Sequence, residues 1–394
     1  MHQGYAATVT AFWALVGAAG DSRPPANVGP SSDTTLFLSG GSYLDVRAGA
    51  LRPNGAIVVR GGRIVAVHAP GSTWRPATDA RVLALDGRTI LPGLIDAHVH
   101  LTLAGDPIAN AAATLRAGFA TVVDLGSAAA GGARLREAIA RGQVPGPRIV
   151  AAGSWIGSKG GVCEFGGATV ATAAAARARA QADLGAGADL LKVCVTGWAA
   201  DAAAFPDSVE LKPDLLNGVL ETGRAAGRPV FAHAIGQAGA LLAADGGIPA
   251  LAHTPIVDSA GAHRLRARRT YVISTLVTLT AGPAGDRVRR SFRLLHEAGV
   301  PIVLGTDAGV LPHGRNAQEL VALVQAGLSP LEALRAATLN AARLLDEGGV
   351  VAGGVGEIVE GAAGDFVVVL GDPLRDVRVL ERPVLVVKAG RVVG

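Results

Sequence analysis

Residues 91–100, LPGLIDAHVH, mark the point at which the sequence changes from one pattern to another. Before them, short β-type segments are separated by turn pairs such as Asn54-Gly55 and Gly61-Gly62. After them, short apolar runs alternate with alanine-rich helical stretches. The change predicts a small β domain that leads into a larger α/β domain.

The α/β pattern contains eight apolar runs, each followed by a candidate helix, over about 250 residues. We predict strands at 94–95, 121–124, 148–151, 190–195, 230–232, 250–252, 271–275 and 302–304. Predicted helices include 168–184, 215–226, 287–298 and 331–345. Eight βα units predict a (β/α)8 TIM-type barrel over residues 92–349, with an open doubly wound sheet as the alternative.

Strand-like segments occur at both ends of the chain. We predict strands at 35–39, 56–59, 64–68 and 82–85, and again at 356–359, 365–370, 384–388 and 390–393. Neither end alone has enough strands for a stable sheet, so residues 36–91 and 350–394 are expected to form one small β-sandwich domain.

Residues 1–35 are interpreted as an N-terminal extension. Their apolar segment, residues 6–19, is too short to span a membrane and lacks the basic start of a signal peptide. We therefore predict a cytoplasmic protein, with export as the alternative.

Composition excludes several classes of protein. A hydrophobic content of 49% with 17% charged residues excludes a disordered chain. The net charge is +4, and the densest basic cluster, residues 264–269, has no interleaved aromatic residues, which favours a solvated helix face over nucleic-acid binding. The two cysteines, Cys163 and Cys194, predict no disulfide framework and are compatible with a reducing compartment.

Lys192 lies within the apolar run LLKVCV, residues 190–195, although only four of the 36 basic residues are lysines. Burying an unpaired cation costs several kcal/mol or more. A desolvated amine, however, is neutral and can react with a carbonyl carbon. An amine is therefore expected to be needed at this position.

Potential metal ligands follow several of the predicted strands. His98 and His100 are two apart on the first strand, so both side chains are expected on one face. His233, His253 and Asp307 end three later runs. Each of these alone would be read as a structural histidine or, for Asp307, a helix N-cap. Together with Lys192 they would meet at the barrel face that carries active sites.

The segments PGLIDAHVHL, LLKV, FAHA, LAHT and LGTDAG together resemble the amidohydrolase superfamily. More narrowly they resemble its imidazolonepropionase-like branch, which includes prolidase-type dipeptidases. The tail, with HGRNAQELVALVQAGLSPLEALRAATLNAARLL and GEIVEGAAGDFVVVLGDPL, extends the resemblance over roughly residues 36–394.

The resemblance implies a site for two divalent metal ions, most often zinc. His98, His100 and Asp307 would hold one ion, and His233 and His253 the other. Lys192, carboxylated by carbon dioxide, would bridge them. Asp307 would also act as the catalytic base and acid in hydrolysis of the amide bond of a dipeptide or N-acyl amino acid.

The sequence departs from prolidase-type relatives where they grip the substrate carboxylate. Ile235 stands where a tyrosine is usual, and the loop after the third strand has no histidine. Lys159 is a candidate replacement or a solvated loop residue. His313 is a candidate substrate contact or a support for the ligands. His2, His68, His263 and His296 are interpreted as surface or structural residues.

Other functions stay open at this stage. They are hydrolysis of cyclic amides or lactones, a mononuclear deaminase and a non-catalytic scaffold, whereas the absence of G-x-S-x-G argues against a serine hydrolase. A small-molecule substrate is expected, with no nucleic-acid or membrane partner. Assembly into a homo-oligomer is left open.

Overall fold

Eight parallel strands form the central sheet in a computed structural model that describes residues 35–393 except 74, 77, 79, 206, 352 and 353. The predicted extension at residues 1–35, with His2, therefore lies outside the described residues except for Thr35. The strands are β8 (Leu94–Val99), β9 (Phe119–Asp124), β10 (Arg148–Ile156), β11 (Leu190–Cys194), β12 (Val230–His233), β13 (Ala250–Ala252), β14 (Tyr271–Ile273) and β15 (Ile302–Val303).

The order of these strands in the sheet follows the chain, from β8 to β15. Backbone hydrogen bonds close the sheet by joining its first strand to the segment after its last strand: Ala97 N–H donates to Leu304 O at 2.9 Å and Asp307 N–H to His98 O at 2.7 Å. The predicted TIM-type barrel is confirmed, and the open sheet is excluded.

The barrel interior is filled by alternate side chains of its strands, among them Ile95, Val150, Phe231 and Ile273. The intervening residues, such as Leu191 and Val193, face outward and pack with the surrounding helices. This alternation explains why the strands read as nearly continuous apolar runs, because both faces of a parallel sheet are covered.

Twelve α-helices are described, and most of them surround the barrel. They are α1 (Pro107–Arg116), α2 (Gly131–Ala140), α3 (Ala173–Gly185), α4 (Ala199–Ala204), α5 (Pro213–Ala225), α6 (Gln237–Asp245), α7 (Ser259–Ala267), α8 (Leu276–Thr280), α9 (Gly285–Glu297), α10 (Gln318–Gln325), α11 (Pro330–Ala336) and α12 (Leu339–Glu347). The prediction of one helix over 331–345 is wrong, because Thr338 leaves the helical region at φ −136° and ψ −92°.

Ten further strands, drawn from both ends of the described chain, form two sheets. They are β1 (Leu36–Ser39), β2 (Ser42–Asp45), β3 (Ala50–Pro53), β4 (Ala56–Arg60), β5 (Arg63–His68), β6 (Arg81–Ala84), β7 (Arg88–Pro92), β16 (Phe366–Leu370), β17 (Leu385–Lys388) and β18 (Arg391–Val392). One sheet has the order β5-β4-β1-β6, and the other β18-β17-β16-β7-β2-β3.

One apolar core lies between these two sheets. It includes Leu38 and Ile57 from the first sheet and Ile90, Phe366 and Val387 from the second. A small β-sandwich built from both ends is thereby confirmed, although the exact domain limits stay a prediction. The predicted strand at 356–359 is wrong, because bends and turns occupy those positions.

Cys163 and Cys194 are joined in a disulfide, with their Cα atoms 6.2 Å apart. The expectation of no disulfide is therefore wrong. The cysteines are 31 positions apart in sequence, and they meet because the loop after β10 folds back over the end of β11. Within the described part of the chain, no helix has the length and apolar character needed to cross a membrane.

Candidate active site

Six predicted ligands lie at the carboxyl ends of barrel strands or just beyond them. His98 and His100 belong to the end of β8, Lys192 to β11 and His233 to β12, while His253 and Asp307 follow β13 and β15. All six side chains are almost completely buried. The parallel strands bring these groups from five distant parts of the sequence to one end of the barrel.

The histidines nearest to Asp307 converge on its carboxylate. His98 Nε2 lies 3.3 Å and His100 Nε2 3.2 Å from Asp307 Oδ1, and the two Nε2 atoms are 3.2 Å apart. A register shift between Asp96 and Val99, relative to β9, accompanies this arrangement. Two imidazole nitrogens and a carboxylate oxygen so close together form a typical donor set for a divalent metal ion.

The second pair of histidines adjoins the first. The ring centroids of His233 and His253 are 4.5 Å apart, and those of His98 and His253 are 4.8 Å apart. His98, His253 and Asp307 offer three ligand atoms that all lie within 4.8 Å of one another. This trio combines two residues of one predicted ligand set with one residue of the other.

Lys192 supplies an amine to the same cluster. Its Nζ is buried and makes no hydrogen bond in the structure, and burial lowers the pKa of the amine to about 7. The charge of Asp307 acts in the opposite direction and raises this pKa. A substantial fraction of the amine is consequently neutral near physiological pH.

Three of the histidines use one ring nitrogen for a local hydrogen bond. His100 Nδ1 contacts Gly126 O at 3.4 Å, His233 Nε2 contacts Gly197 O at 3.2 Å, and His253 Nδ1 contacts Thr275 Oγ1 at 2.9 Å. A carbonyl can only accept, so His100 and His233 must donate through these nitrogens. In each ring the other nitrogen stays available as a ligand.

Burial lowers the pKa of three of the candidate imidazole ligands, His98, His233 and His253. The pKa falls well below its usual range for His98 and His253, and to about 4 for His233. Desolvation is the main cause, and the neighbouring Lys192 lowers all three further. The imidazoles are therefore neutral at physiological pH, as metal coordination requires.

Some of the candidate ligands lie at positions with unusual backbone conformations. Seven described non-glycine residues have positive φ, and three of them are His253 at 94°, Thr275 at 45° and Asp307 at 61°. Gly309, at φ 117°, packs so closely that a Cβ atom there would lie 2.5 Å from His100 O. Strained conformations that cluster in this way are typical of functional sites.

A model of the amidohydrolase family matches residues 89–393. The chain belongs to the amidohydrolase family.

Individual relatives share about a quarter to a third of their residues with this amidohydrolase. The solved structure of a Xaa-Pro dipeptidase with bound methionine is 26% identical, with a TM-score of 0.82 over 91% of this chain and 99% of that one. Ochratoxinase of Aspergillus niger is 28% identical over 215 residues, which are 50% of this chain and 44% of the ochratoxinase. Adenine deaminase 2 of Rhizobium meliloti is 30% identical over 366 residues, which are 88% of this chain and 55% of the deaminase. The matches thus span about half the length of the latter two relatives.

The amidohydrolase also contains a supporting network that the sequence reading missed. Asp96 accepts hydrogen bonds from His98 N–H at 3.1 Å, from the backbone and hydroxyl of Thr306 at 3.0 and 2.7 Å, and from Asn316 Nδ2 at 2.7 Å. It thereby ties the strand that carries His98 to the segment that carries Asp307. The sequence feature that could have indicated this network is the acidic residue Asp96 inside the strand segment LIDAHV.

A second missed carboxylate supports the region around His253. Glu319 is fully buried and accepts hydrogen bonds from Ser274 Oγ at 2.6 Å, Leu276 N–H at 2.7 Å and Val277 N–H at 3.0 Å. These donors flank Thr275, the partner of His253. Burial raises the pKa of Glu319 to about 7.

The two candidate substrate contacts have different surroundings in this amidohydrolase. Lys159 is exposed at a turn in the loop after β10. His313 hydrogen-bonds through Nδ1 to Thr114 Oγ1 at 2.9 Å and through Nε2 to His100 O at 3.3 Å. Both ring nitrogens of His313 are thus engaged, which favours its interpretation as a support for His100.

Proposed function

We propose that this protein hydrolyses an amide bond of a small molecule at a binuclear metal site. The observation that carries the proposal is the buried, unpartnered amine of Lys192 within the cluster of four histidines and Asp307. An isolated lysine at such a site costs stability, so its retention calls for a chemical role. The donor set, with neutral imidazoles and a carboxylate, fits divalent ions such as zinc.

We infer that the amine of Lys192 is carboxylated. A neutral amine attacks the carbon of carbon dioxide, a C–N bond forms, and the nitrogen loses a proton to give an anionic carbamate. The lowered pKa of Lys192 favours this step, because only the unprotonated amine is nucleophilic. Two carbamate oxygens would then allow Lys192 to join the His98, His100 and Asp307 set to the His233 and His253 set.

Divalent ions, when bound, would supply Lewis acidity toward the substrate carbonyl and lower the pKa of a water molecule. Asp307 would accept the proton of the attacking water and then deliver it to the leaving nitrogen. The backbone N–H of Asp307 donates to His98 O, and the preceding Thr306 is bound to Asp96, which keeps the Asp307 carboxylate next to His98 and His100. Gly126, Gly197 and Thr275 keep three imidazoles in the orientation and tautomer that coordination needs.

The substrate class proposed is a dipeptide or an N-acyl amino acid. Support comes from the likeness to a Xaa-Pro dipeptidase and to ochratoxinase. Lys159 is the proposed partner of a substrate carboxylate, and hydrolysis of cyclic amides or lactones is the alternative within the same chemistry. A mononuclear deaminase is a second candidate, favoured by the likeness to an adenine deaminase and by the compact trio of His98, His253 and Asp307. It would leave the buried Lys192 amine without a function.

The test measures metal content and turnover together. Protein loaded with zinc is expected to hold two ions per chain, measured by mass spectrometry, and to release amines from a library of dipeptides and N-acyl amino acids. Treatment with a chelator is expected to abolish the activity. One ion per chain with release of ammonia would support the deaminase instead.

Lys192→Ala is expected to lower the metal content and to reduce turnover by orders of magnitude. Added bicarbonate cannot restore either property, because the variant has no amine to carboxylate. Lys212→Ala, at an exposed lysine of the same barrel, is the matched control and is expected to behave as the wild type. Full activity and two ions per chain in folded Lys192→Ala protein would refute the bridging role.

A further inference from the structure

The large, strongly exposed apolar side chains of the described barrel residues lie at the mouth of the candidate site. Across the described barrel residues, three large apolar side chains are strongly exposed: Phe165 at 53%, Phe205 at 67% and Val310 at 54%. They lie in the loops after β10, β11 and β15, which are all at the barrel end that carries the candidate ligands. Exposed apolar groups gathered at one site indicate a surface that binds an apolar partner or ligand.

Two tryptophans contact the candidate ligands directly, in a chain with only 4% aromatic residues. Trp198 stacks on His233, with the ring centroids 5.9 Å apart and the planes 26° apart, and meets His253 edge-on at 5.3 Å. Trp155 contacts His100 at 5.5 Å. Indole rings therefore adjoin both halves of the ligand cluster.

Trp155 supports an exposed ring. The indole is buried, and a Cβ atom at either Gly126 or Gly166 would approach it to 2.4 or 2.6 Å, so glycines make room for it. Phe165 packs on Trp155 at a centroid distance of 5.2 Å and turns toward solvent. The structure thus presents the exposed Phe165 ring next to Trp155, which contacts His100, and the partly exposed Trp198 ring next to His233 and His253.

Beyond the cluster, the described contacts of the ligand rings include indole rings, the hydroxyl of Thr275 and backbone carbonyls. The carboxylate of Asp96 contacts the backbone N–H of His98 rather than its ring. An aromatic ring of a substrate would therefore gain stacking contacts beside the ligands.

We propose that the preferred substrates are amides with an aromatic ring beside the scissile carbonyl group, which is received by the aromatic side chains Phe165 and Trp198. This inference rests on the proposed amide hydrolysis and narrows its substrate class to amides that carry such a ring.

The experiment compares a benzylamide with its cyclohexylmethylamide counterpart, which keeps the carbonyl, the size and nearly the basicity of the leaving amine but lacks the aromatic ring. With the zinc-loaded full chain, kcat/KM is expected to be about tenfold higher for the benzylamide, the scale of one or two aromatic contacts. Equal kcat/KM for the two amides would overturn the proposal while leaving amide hydrolysis intact.

Substitutions of the two aromatic residues locate the preference. Phe165→Leu and Trp198→Leu are each expected to lower the ratio of kcat/KM for the benzylamide to that for the cyclohexylmethylamide several-fold, whereas Trp198→Phe retains most of the preference. Leu370→Ala, at an exposed residue of β16, is the control. Equal losses for both amides in the leucine variants would show a merely structural role and overturn the proposal.

Binding to the metal-free protein separates this inference from the proposed function. Without turnover, calorimetry is expected to show tighter binding of the benzylamide than of the cyclohexylmethylamide, and Phe165→Leu is expected to reduce the difference. This result would support aromatic recognition even if the loaded protein cleaved no amide, an outcome that would refute only the proposed function. Equal binding of the two amides would overturn the inference.

Discussion

At the residue scale, each candidate ligand is held by a partner that fixes its orientation. Thr275 orients His253, Gly197 orients His233, and Asp96 holds the backbone of His98. Such partners fix the tautomer and the direction of a ligand, and their loss typically weakens metal binding by about 10- to 100-fold. Metal binding is consequently expected to depend on buried partners of the candidate ligands, such as Asp96 and Thr275.

The buried carboxyl of Glu319 is expected to make the stability of the protein depend on pH. Burial raises its pKa from an ordinary value of 4.5 to about 7, and the charge of Asp96 adds to the shift. Between these two values the folded protein holds a proton that the unfolded chain has lost. The stability contributed by the protonated group is therefore complete below pH 4.5 and is lost as the pH rises through about 7.

We expect Glu319→Gln, which resembles the protonated acid, to flatten the fall in unfolding free energy between pH 5 and 7. The contribution removed is at most about 1.4 kcal/mol per pH unit. Urea denaturation at several pH values measures it, and the exposed Glu221→Gln variant provides the control. An unchanged slope in Glu319→Gln would show that the carboxyl is ionised throughout this range.

The candidate ligands could be found from sequence, whereas the residues that support them could not. His98, His100, His233, His253 and Asp307 end or follow apolar runs and Lys192 lies within one, and strand polarity places such residues toward one end of a barrel. Trp155, on β10, and Trp198, in the segment after β11, contact them only through tertiary packing. No periodicity in the sequence encodes that path.

At the scale of elements, the barrel strands could be predicted from sequence, whereas some of their connections could not. The barrel strands were found because both of their faces are buried and their residues are almost all apolar. The break between α11 and α12 was missed because residues 331–345 keep a helical apolar spacing across Thr338. The pairing of Cys163 with Cys194 was missed because it depends on the fold of the loop after β10 rather than on spacing.

This disulfide fixes the loop that carries Phe165. Cys194 lies on β11 two residues beyond Lys192, and Cys163 lies two residues before Phe165. Glu210 provides a second anchor, since its Oε2 accepts a hydrogen bond from Val162 N–H at 2.8 Å. The loop is therefore attached both to the barrel and to the segment after α4.

We expect Cys163→Ser to lower the free energy of unfolding by about 2–4 kcal/mol, the usual contribution of a disulfide that closes a loop of this size. A reductant is expected to lower the melting temperature of the wild type and to have no effect on the variant. Because the chain has only two cysteines, thiol titration of the denatured protein gives a direct check. Two free thiols without reductant would contradict the pairing, and such a result would also fit the predicted cytoplasmic location, where disulfides are rare.

At the scale of the whole molecule, the β domain is attached to the barrel next to its first strands. Asp365 is almost fully buried. In the β domain its carboxylate accepts hydrogen bonds from Lys388 Nζ at 2.8 Å and from Ala389 N–H at 2.7 Å. In the barrel it lies 3.5 Å from Arg148 Nη2 of β10. Its backbone carbonyl accepts from Gly93 N–H at 2.7 Å. One residue thus connects the C-terminal strands, the barrel and the segment leading to His98.

We expect Asp365→Ala to destabilise the whole protein by about 3–5 kcal/mol, because it leaves the largely buried Lys388 and the Ala389 amide without their partner. A single cooperative transition at lower denaturant concentration would show that the two domains unfold together, whereas an early separate transition would show that the β domain is released first. Asp286→Ala, in an exposed pair with Arg289, is the control and is expected to change stability little. At temperatures where Asp365→Ala stays folded, its metal content and turnover should equal those of the wild type. A loss no larger than that of the control would contradict the role of Asp365 as the connection between the domains.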